Sequence, residues 1–196
     1  MGERILLICT GGTMDAKECE DPRTPPKYVE TLKGEASLVM PAIEQLGYTN
    51  VDRLNWKASE ESRFVKDSKQ YTPKDIEALA KIIREDKEHD HFIIAHGTDH
   101  IVQNANSLKY ALEGSGKVVT FVGAIVPLSM HKRRGFTSDA VDTLKFALGG
   151  IMERDPGVYI VARYSNTKLQ KFFDPNDVKK DRETSMKYMS LMLRSR

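Results

Sequence analysis

Residues 5–9 form an apolar run, Ile-Leu-Leu-Ile-Cys, that leads through Thr10 into two glycines. Unbroken runs of this length are typical of strands that are buried on both faces of a parallel sheet. Gly11 and Gly12 let the backbone turn sharply and approach a ligand closely. Thr10 and Thr13 then lie beyond the carboxyl end of the strand, where open α/β sheets bind small molecules. The stretch predicts a buried first strand and, if the protein is an enzyme, the place of its nucleophile.

Strands and helices alternate along the rest of the chain. Apolar runs predict further buried strands at residues 91–95, 117–122 and 157–161, and a weaker one at 51–56. Helically spaced apolar residues with capping signals predict helices at residues 37–46, 73–83, 100–112 and 138–151. Residues 14–35 and 166–196 are polar and are expected to be irregular. The alternation predicts a three-layer, doubly wound, mainly parallel α/β sheet in a single domain over residues 1–196.

The composition is that of a globular protein with nearly balanced charge. Thirty basic side chains stand against 28 acidic ones, for a net charge of +2. This balance gives no reason to expect nucleic acid or an anionic membrane as a partner. No run approaches the ~20 apolar residues of a membrane span or resembles a signal peptide, so a cytoplasmic location is expected. Cys9 and Cys19 lack the spacing of metal ligands and are expected to be reduced thiols.

Several polar turns are predicted to meet at one edge of the sheet. Residues 10–13, the pair Thr98-Asp99 and the turn at 123–124 each follow a predicted parallel strand. Ser68, just before a helix, is expected to face the same way. Hydroxyls, a carboxylate and backbone N–H groups at helix starts suit a small polar substrate with a carboxylate or an amide.

The side chains of these turns allow either catalysis or simple capping. A threonine hydroxyl becomes an effective nucleophile only when a base removes its proton. Asp99 could hold a lysine whose neutral amine accepts a proton from Thr98, and backbone N–H groups could stabilise an oxyanion. Threonine and aspartate, however, also commonly cap helices. His96 is expected to be a hydrogen-bonded structural residue rather than a base.

Two four-residue motifs resemble those of a known family. Thr-Gly-Gly-Thr at 10–13 and His-Gly-Thr-Asp at 96–99 resemble the two signatures of the bacterial-type L-asparaginase and glutaminase family. Other stretches are similar to its substrate-binding serine segment, its next strand and helix, and the stretch that holds its catalytic lysine: residues 67–73, 122–124 with 138–139, and 177–180. The resemblance covers nearly the whole chain and implies the Rossmann-like fold of the asparaginase N-terminal domain.

The resemblance implies hydrolysis of L-asparagine, or of a related small amide, to L-aspartate and ammonia without metal or cofactor. By position, Thr13 matches the nucleophile. Thr98 and Asp99 match the second threonine and its partner, and Lys180 matches the lysine of the proton relay. Tyr28 lies at a suitable distance along the chain to match the flap tyrosine that works with the nucleophile.

The resemblance also implies a substrate site and an assembly. Ser68 matches a residue that grips the α-groups of the substrate, and Asp99 would also bind the substrate's α-amino group. Five more residues match substrate-binding positions: Gly12, Asp67, Lys69, Gly97 and Ala124. A homo-oligomer is expected because members of the family assemble.

The chain departs from the family pattern at several points. Family chains usually have a C-terminal domain that lends an acidic residue to a neighbouring subunit's site, whereas these 196 residues match the N-terminal domain. Residues 19–26 do not resemble the family flap that carries the counterpart of Tyr28. Lys69 stands where the family often has a smaller or amide residue, so it either repels a substrate α-amino group or points to solvent. Lys179 is an alternative to Lys180 as the catalytic lysine.

Two other functions compete with that of an asparaginase-like amidohydrolase. A binding or regulatory module would sense an amino acid with little or no turnover. The lack of a matching C-terminal domain favours such a module, whereas the presence of Thr13, Thr98 and Asp99 opposes it. A nucleotide-binding domain has less support, because Gly11-Gly12 lacks the G-x-G-x-x-G spacing and no Walker lysine follows.

Overall fold

The computed structural model describes residues 4–18, 28–130, 138–164, 167, 169–180 and 189–193. Within these ranges the chain forms five α-helices: α1 (Val39–Gln45), α2 (Ala58–Phe64), α3 (Pro73–Glu85), α4 (Ile101–Ala111) and α5 (Asp139–Gly150). The same ranges contain ten strands: β1 (Ile5–Cys9), β2 (Ala16–Glu18), β3 (Tyr28–Thr31), β4 (Val51–Arg53), β5 (His91–Ala95), β6 (Val118–Val122), β7 (Gly157–Tyr164), β8 (Gln170–Phe173), β9 (Val178–Lys180) and β10 (Ser190–Leu193). None of these helices is long and apolar enough to cross a membrane.

Eight of the strands form one mainly parallel sheet. Its order is β4-β1-β5-β6-β7-β10-β9, and β8 pairs with β7. Neighbours from β4 to β7 are parallel, as are β7 and β10, whereas β8 and β9 run antiparallel to their partners. Every residue of β1, β5 and β6 is buried, as the apolar runs predict. The prediction of a mainly parallel α/β sheet is confirmed.

Side chains of β1 alternate between two hydrophobic cores. Leu6 and Ile8 pack in one core with buried residues of α3 and α4. Ile5, Leu7 and Cys9 pack in the other with buried residues of α1 and α5. Helices therefore cover both faces of the sheet, as expected for a three-layer, doubly wound fold. Burial raises the pKa of the Cys9 thiol to about 12, so this cysteine is a protonated core residue.

The structure contains several elements that the sequence did not predict. A short hairpin of β2 and β3 lies within residues 14–35, and β8, β9 and β10 lie within residues 166–196. These strands have three or four residues each, too few for an apolar alternation to be evident. Helix α2 buries Phe64 alone among its residues, so it has no apolar stripe. The strand predicted at residues 51–56 is β4, which ends at Arg53. Residues 19–26, which include Cys19, lie outside the described residues.

Asp139 joins three segments near the carboxyl edge of the sheet. The side chain of the preceding residue, Ser138, caps α5. The buried carboxylate of Asp139 instead accepts hydrogen bonds from the backbone N–H groups of Ile125, Val126 and Met189. It thereby ties the turn after β6 to the residue that precedes β10.

The loop between α2 and α3 is anchored by the buried carboxylate of Asp75. Its partners are Lys66 Nζ at 2.9 Å, Arg63 Nε at 3.1 Å and the Thr72 hydroxyl at 2.6 Å. Burial alone would raise the pKa of Asp75, but the hydrogen bonds from these partners outweigh it and hold the pKa well below its usual range. The backbone N–H of Lys66 also donates to Thr10 O, which fixes the loop against the end of β1.

Candidate active site

Two glycine-containing turns meet by direct backbone contact. Gly12, after β1, has a φ of +88°, and a Cβ added there would lie 2.3 Å from Gly97 Cα in the turn after β5. A Cβ added to Gly97 would lie 2.9 Å from both Cβ and Oγ of Ser68. Such separations leave no room for a side chain at either position. Three of the segments that the sequence predicted to converge are therefore in van der Waals contact.

Thr13 follows this contact directly and begins a short 3-10 helix, Thr13–Asp15. The helix is held at its far end by Asp15, whose buried carboxylate accepts the backbone N–H of Leu38 at 2.8 Å. The carbonyl of Asp15 also accepts the N–H of Leu32. Thr13 itself is only partly buried, and it lies at the carboxyl edge of the sheet.

Thr98, Asp99 and Lys180 form a second group beside Gly97. Lys180, the last residue of β9, places its Nζ 3.5 Å from Thr98 Oγ1 and 3.3 Å from Asp99 Oδ1. Thr98 is buried, whereas the side chain of Lys179 is exposed to solvent. The geometry thus distinguishes the two lysines that the sequence left as alternatives, because Lys180 is the one within reach of the threonine hydroxyl.

Asp99 is paired with a second lysine on its other oxygen. Lys69 Nζ lies 2.5 Å from Asp99 Oδ2, and the two side chains are 58% and 44% exposed. The hydrogen bond from Lys69 and the nearby charge of Lys180 hold the pKa of Asp99 below its usual range, against the opposing effect of partial burial. Lys69 therefore does not point freely to solvent, and each oxygen of the Asp99 carboxylate has one lysine partner.

The side chains of Ser68 and Asp67 differ in burial and in their hydrogen-bond partners. Ser68 is 2% exposed, and its Oγ accepts the backbone N–H of His100 at 3.2 Å. Asp67 is exposed, and its carboxylate accepts the backbone N–H of Lys69 at 2.8 Å. Asp67 thus caps the short turn that presents Ser68 and Lys69 to the site.

A buried hydrogen-bond relay supports the floor of the site. Asn104 Nδ2 lies 2.9 Å from both Ser68 O and His96 Nε2, and His96 Nδ1 lies 2.6 Å from Thr10 Oγ1. Thr10 Oγ1 in turn donates to Ala95 O at 2.8 Å. All four contacts are satisfied when His96 is neutral with its proton on Nδ1. Burial lowers the pKa of His96 to about 3, in agreement with this state and with the expected structural role.

The remaining predicted site residues have different surroundings. Ala124 is fully buried and packs in the same core as Cys9 and α5, so its side chain is a core residue. Tyr28 is the first residue of β3 and is paired with Glu18 of β2. The predicted role of the Tyr28 side chain falls outside what the structure describes. Among the described residues, no three His, Cys, Asp or Glu side chains cluster in a way that could hold a metal ion.

Sequence reasoning missed Asn104, although the pattern of α4 contains a signal for it. Asn104 is 7% exposed and lies among Ile101, Ala105 and Leu108, which are fully or almost fully buried. A polar side chain at a core-facing position of a helix needs a hydrogen-bond partner. In this structure its partners are Ser68 O and the His96 ring.

Comparisons with known proteins match one family. The family model described as "Asparaginase, N-terminal" matches residues 4–190. L-asparaginase 1 of Escherichia coli (strain K12) is 31% identical over 109 residues, which cover 55% of this chain and 28% of that protein. The L-asparaginase 1 of Escherichia coli O157:H7 gives the same values.

A solved structure shares the fold. The crystal structure of L-asparaginase I from Vibrio cholerae O1 biovar eltor str. N16961 matches with a TM-score of 0.66 at 22% identity. The match covers 92% of this chain and 48% of that chain. The chain thus spans less than half the length of each of these relatives.

Substitution of Gly12 tests its close backbone contact with Gly97. Gly12→Ala is expected to lower the free energy of unfolding by at least about 2 kcal/mol, because left-handed backbone and overpacking each cost about 1–3 kcal/mol. Gly114→Ala is the matched control: Gly114 has a φ of +72° with nothing within 4 Å of an added Cβ. Gly114→Ala should lower the free energy of unfolding by about 1 kcal/mol. Urea unfolding measures both, and equal losses would contradict the close contact.

Proposed function

Because the chain belongs to the asparaginase family, we propose that it is an amidohydrolase that releases ammonia from a small amide of the asparagine type through a threonine nucleophile. The observation that carries the proposal is the group formed by Thr98, Asp99 and Lys180 immediately beside Gly97. Gly97 contacts Gly12, and Thr13 follows Gly12. The two threonines of the family signatures thus flank one backbone contact.

In the first half of the proposed reaction, Thr13 Oγ attacks the carbonyl carbon of the amide. The carbonyl oxygen becomes an oxyanion, which backbone N–H groups at the turn would stabilise. Collapse of this intermediate breaks the C–N bond, and the nitrogen leaves as ammonia after it gains the proton that the attack releases. An ester between the acyl group and Thr13 remains. The partner expected for Thr13 in this step is Tyr28.

In the second half, water hydrolyses the ester. Lys180 Nζ lies within reach of Thr98 Oγ1, so a neutral Lys180 amine can accept a proton through that hydroxyl as water attacks. Asp99 orients the Lys180 side chain from the other side. Attack of water releases the carboxylic acid and restores the Thr13 hydroxyl, so the net reaction consumes one amide and one water.

The proposed assembly is a homo-oligomer, because members of the family assemble. Size-exclusion chromatography with light scattering measures it directly. The proposed substrate is small, since the polar groups at the site come from short turns at one edge of the sheet. Ser68 and Asp99 are the residues proposed to bind the groups of the substrate away from the reacting amide.

Removal of the nucleophile tests the proposal. Thr13→Ala is expected to reduce ammonia release from L-asparagine or L-glutamine by about 1,000-fold or more, because no other hydroxyl takes over attack. Thr13→Ser keeps a hydroxyl and should keep measurable activity. Equal activity in wild type and Thr13→Ala would show that Thr13 is not the nucleophile. No release by the wild type, together with binding of L-aspartate, would support a sensor instead.

The two adjacent lysines at the end of β9 provide a matched pair of variants. Lys180→Met removes the amine beside Thr98 and is expected to lower kcat by about 100–10,000-fold, the usual contribution of general acid–base catalysis. Lys179→Met removes an exposed amine and should leave kcat within about twofold. Steady-state ammonia release on one substrate measures both variants. A larger loss in Lys179→Met than in Lys180→Met would reverse the assignment.

A further inference from the structure

We infer that the site prefers an amide that carries a carboxylate but no ammonium group, such as the monoamide of a dicarboxylic acid, over an α-amino acid amide. This inference rests on the proposed function and concerns the part of the substrate away from the reacting amide. Its basis is the pair of lysines on Asp99, the residue that an α-ammonium group would otherwise engage.

Each oxygen of Asp99 already has a lysine partner. Lys180 Nζ lies at 3.3 Å from Oδ1 and Lys69 Nζ at 2.5 Å from Oδ2. Lys180 is also bound to Thr98. A substrate ammonium would therefore have to share Asp99 with the Lys69 ammonium, at a cost in charge repulsion, or displace it. Lys69 is tethered in the same molecule at a high effective concentration, which a free ligand must exceed to compete.

The surroundings do not compensate for the occupied carboxylate. Asp67 is the acidic group closest to Lys69 along the chain, and its Oδ1 accepts the backbone N–H of Lys69. The carboxylate of Asp99 is balanced by the ammonium group of Lys69. A ligand ammonium thus meets a cation that is already in place, whereas a ligand carboxylate or carbonyl can accept from the Lys69 ammonium.

The position of Lys69 allows it to discriminate between ligands without blocking the site. Its side chain is 58% exposed, and Asp99 is 44% exposed, so the pair lies at the mouth of the site where a ligand can reach it. Exposed ion pairs are weak. We therefore expect discrimination of about tenfold, and not the complete exclusion of α-amino acid amides.

The turn that carries Lys69 holds it in place. The backbone N–H of Lys69 is bound by Asp67, and the preceding residue, Ser68, is buried against Gly97 and His100. The first atoms of the Lys69 side chain are thus fixed relative to Asp99. A substitution at Lys69 changes the charge at the mouth without disturbing a buried contact.

The discriminating experiment uses two amides with the same carbon skeleton. L-asparagine and succinamic acid share the amide and the carboxylate and differ in the α-ammonium group. For the wild type, kcat/KM for ammonia release is expected to be about tenfold higher with succinamic acid. Lys69→Gln should reduce this ratio by about tenfold, and Lys69→Arg, which keeps the cation, should preserve the preference. A preference for L-asparagine in the wild type, or an unchanged ratio in Lys69→Gln, would overturn the inference.

A binding measurement decides the inference independently of turnover. Titration calorimetry compares succinate with L-aspartate, which differ by the same ammonium group, on the wild type and on Lys69→Gln. We expect tighter binding of succinate by the wild type and a smaller difference in the variant. If no amide is hydrolysed, the proposed function fails while this result still stands. Equal or tighter binding of L-aspartate, or binding of neither ligand, would overturn the inference.

Discussion

The close approach of the Gly12 and Gly97 backbones is the contact on which the site depends. A side chain at Gly12 would push apart the turns after β1 and β5, which carry Thr13 and Thr98, and a side chain at Gly97 would push Ser68 away from the second of these turns. Parallel pairing of these two strands over five residues brings the turns to the same edge of the sheet, and the glycines then let them touch. The buried His96 relay below them involves only neutral groups, so it supports the turns without placing an unpaired charge in the core.

Charge at the site is organised around Asp99. One of its oxygens orients the lysine beside Thr98, and the other binds Lys69 at the mouth. A single carboxylate therefore connects the proposed proton relay to the proposed choice of substrate. Because the pair with Lys69 is exposed while Lys180 is more enclosed, a change at Lys69 is expected to alter selectivity more than the chemical step.

Much of the fold could be predicted from the sequence, because β1, β5 and β6 are mainly apolar runs that end in glycine-containing turns. Parallel strands share a carboxyl edge, so the convergence of the turns followed. The strands β8 to β10 could not be predicted, since three or four residues gain their stability from pairing rather than from their own pattern. The ion pair between Lys69 and Asp99 joins residues 30 positions apart, so no local sequence pattern could predict it.

If Thr13 is the nucleophile, it becomes acylated during turnover, and this ester can be trapped. Acid quenching of a single turnover, followed by tryptic digestion, isolates the peptide from Ile5 to Lys17, which contains both Thr10 and Thr13. Fragmentation by mass spectrometry then distinguishes the two threonines. We expect the peptide to gain the mass of the acyl group, with the added mass on Thr13. An adduct on Thr98, or turnover with no adduct under conditions in which ester hydrolysis is rate-limiting, would contradict it.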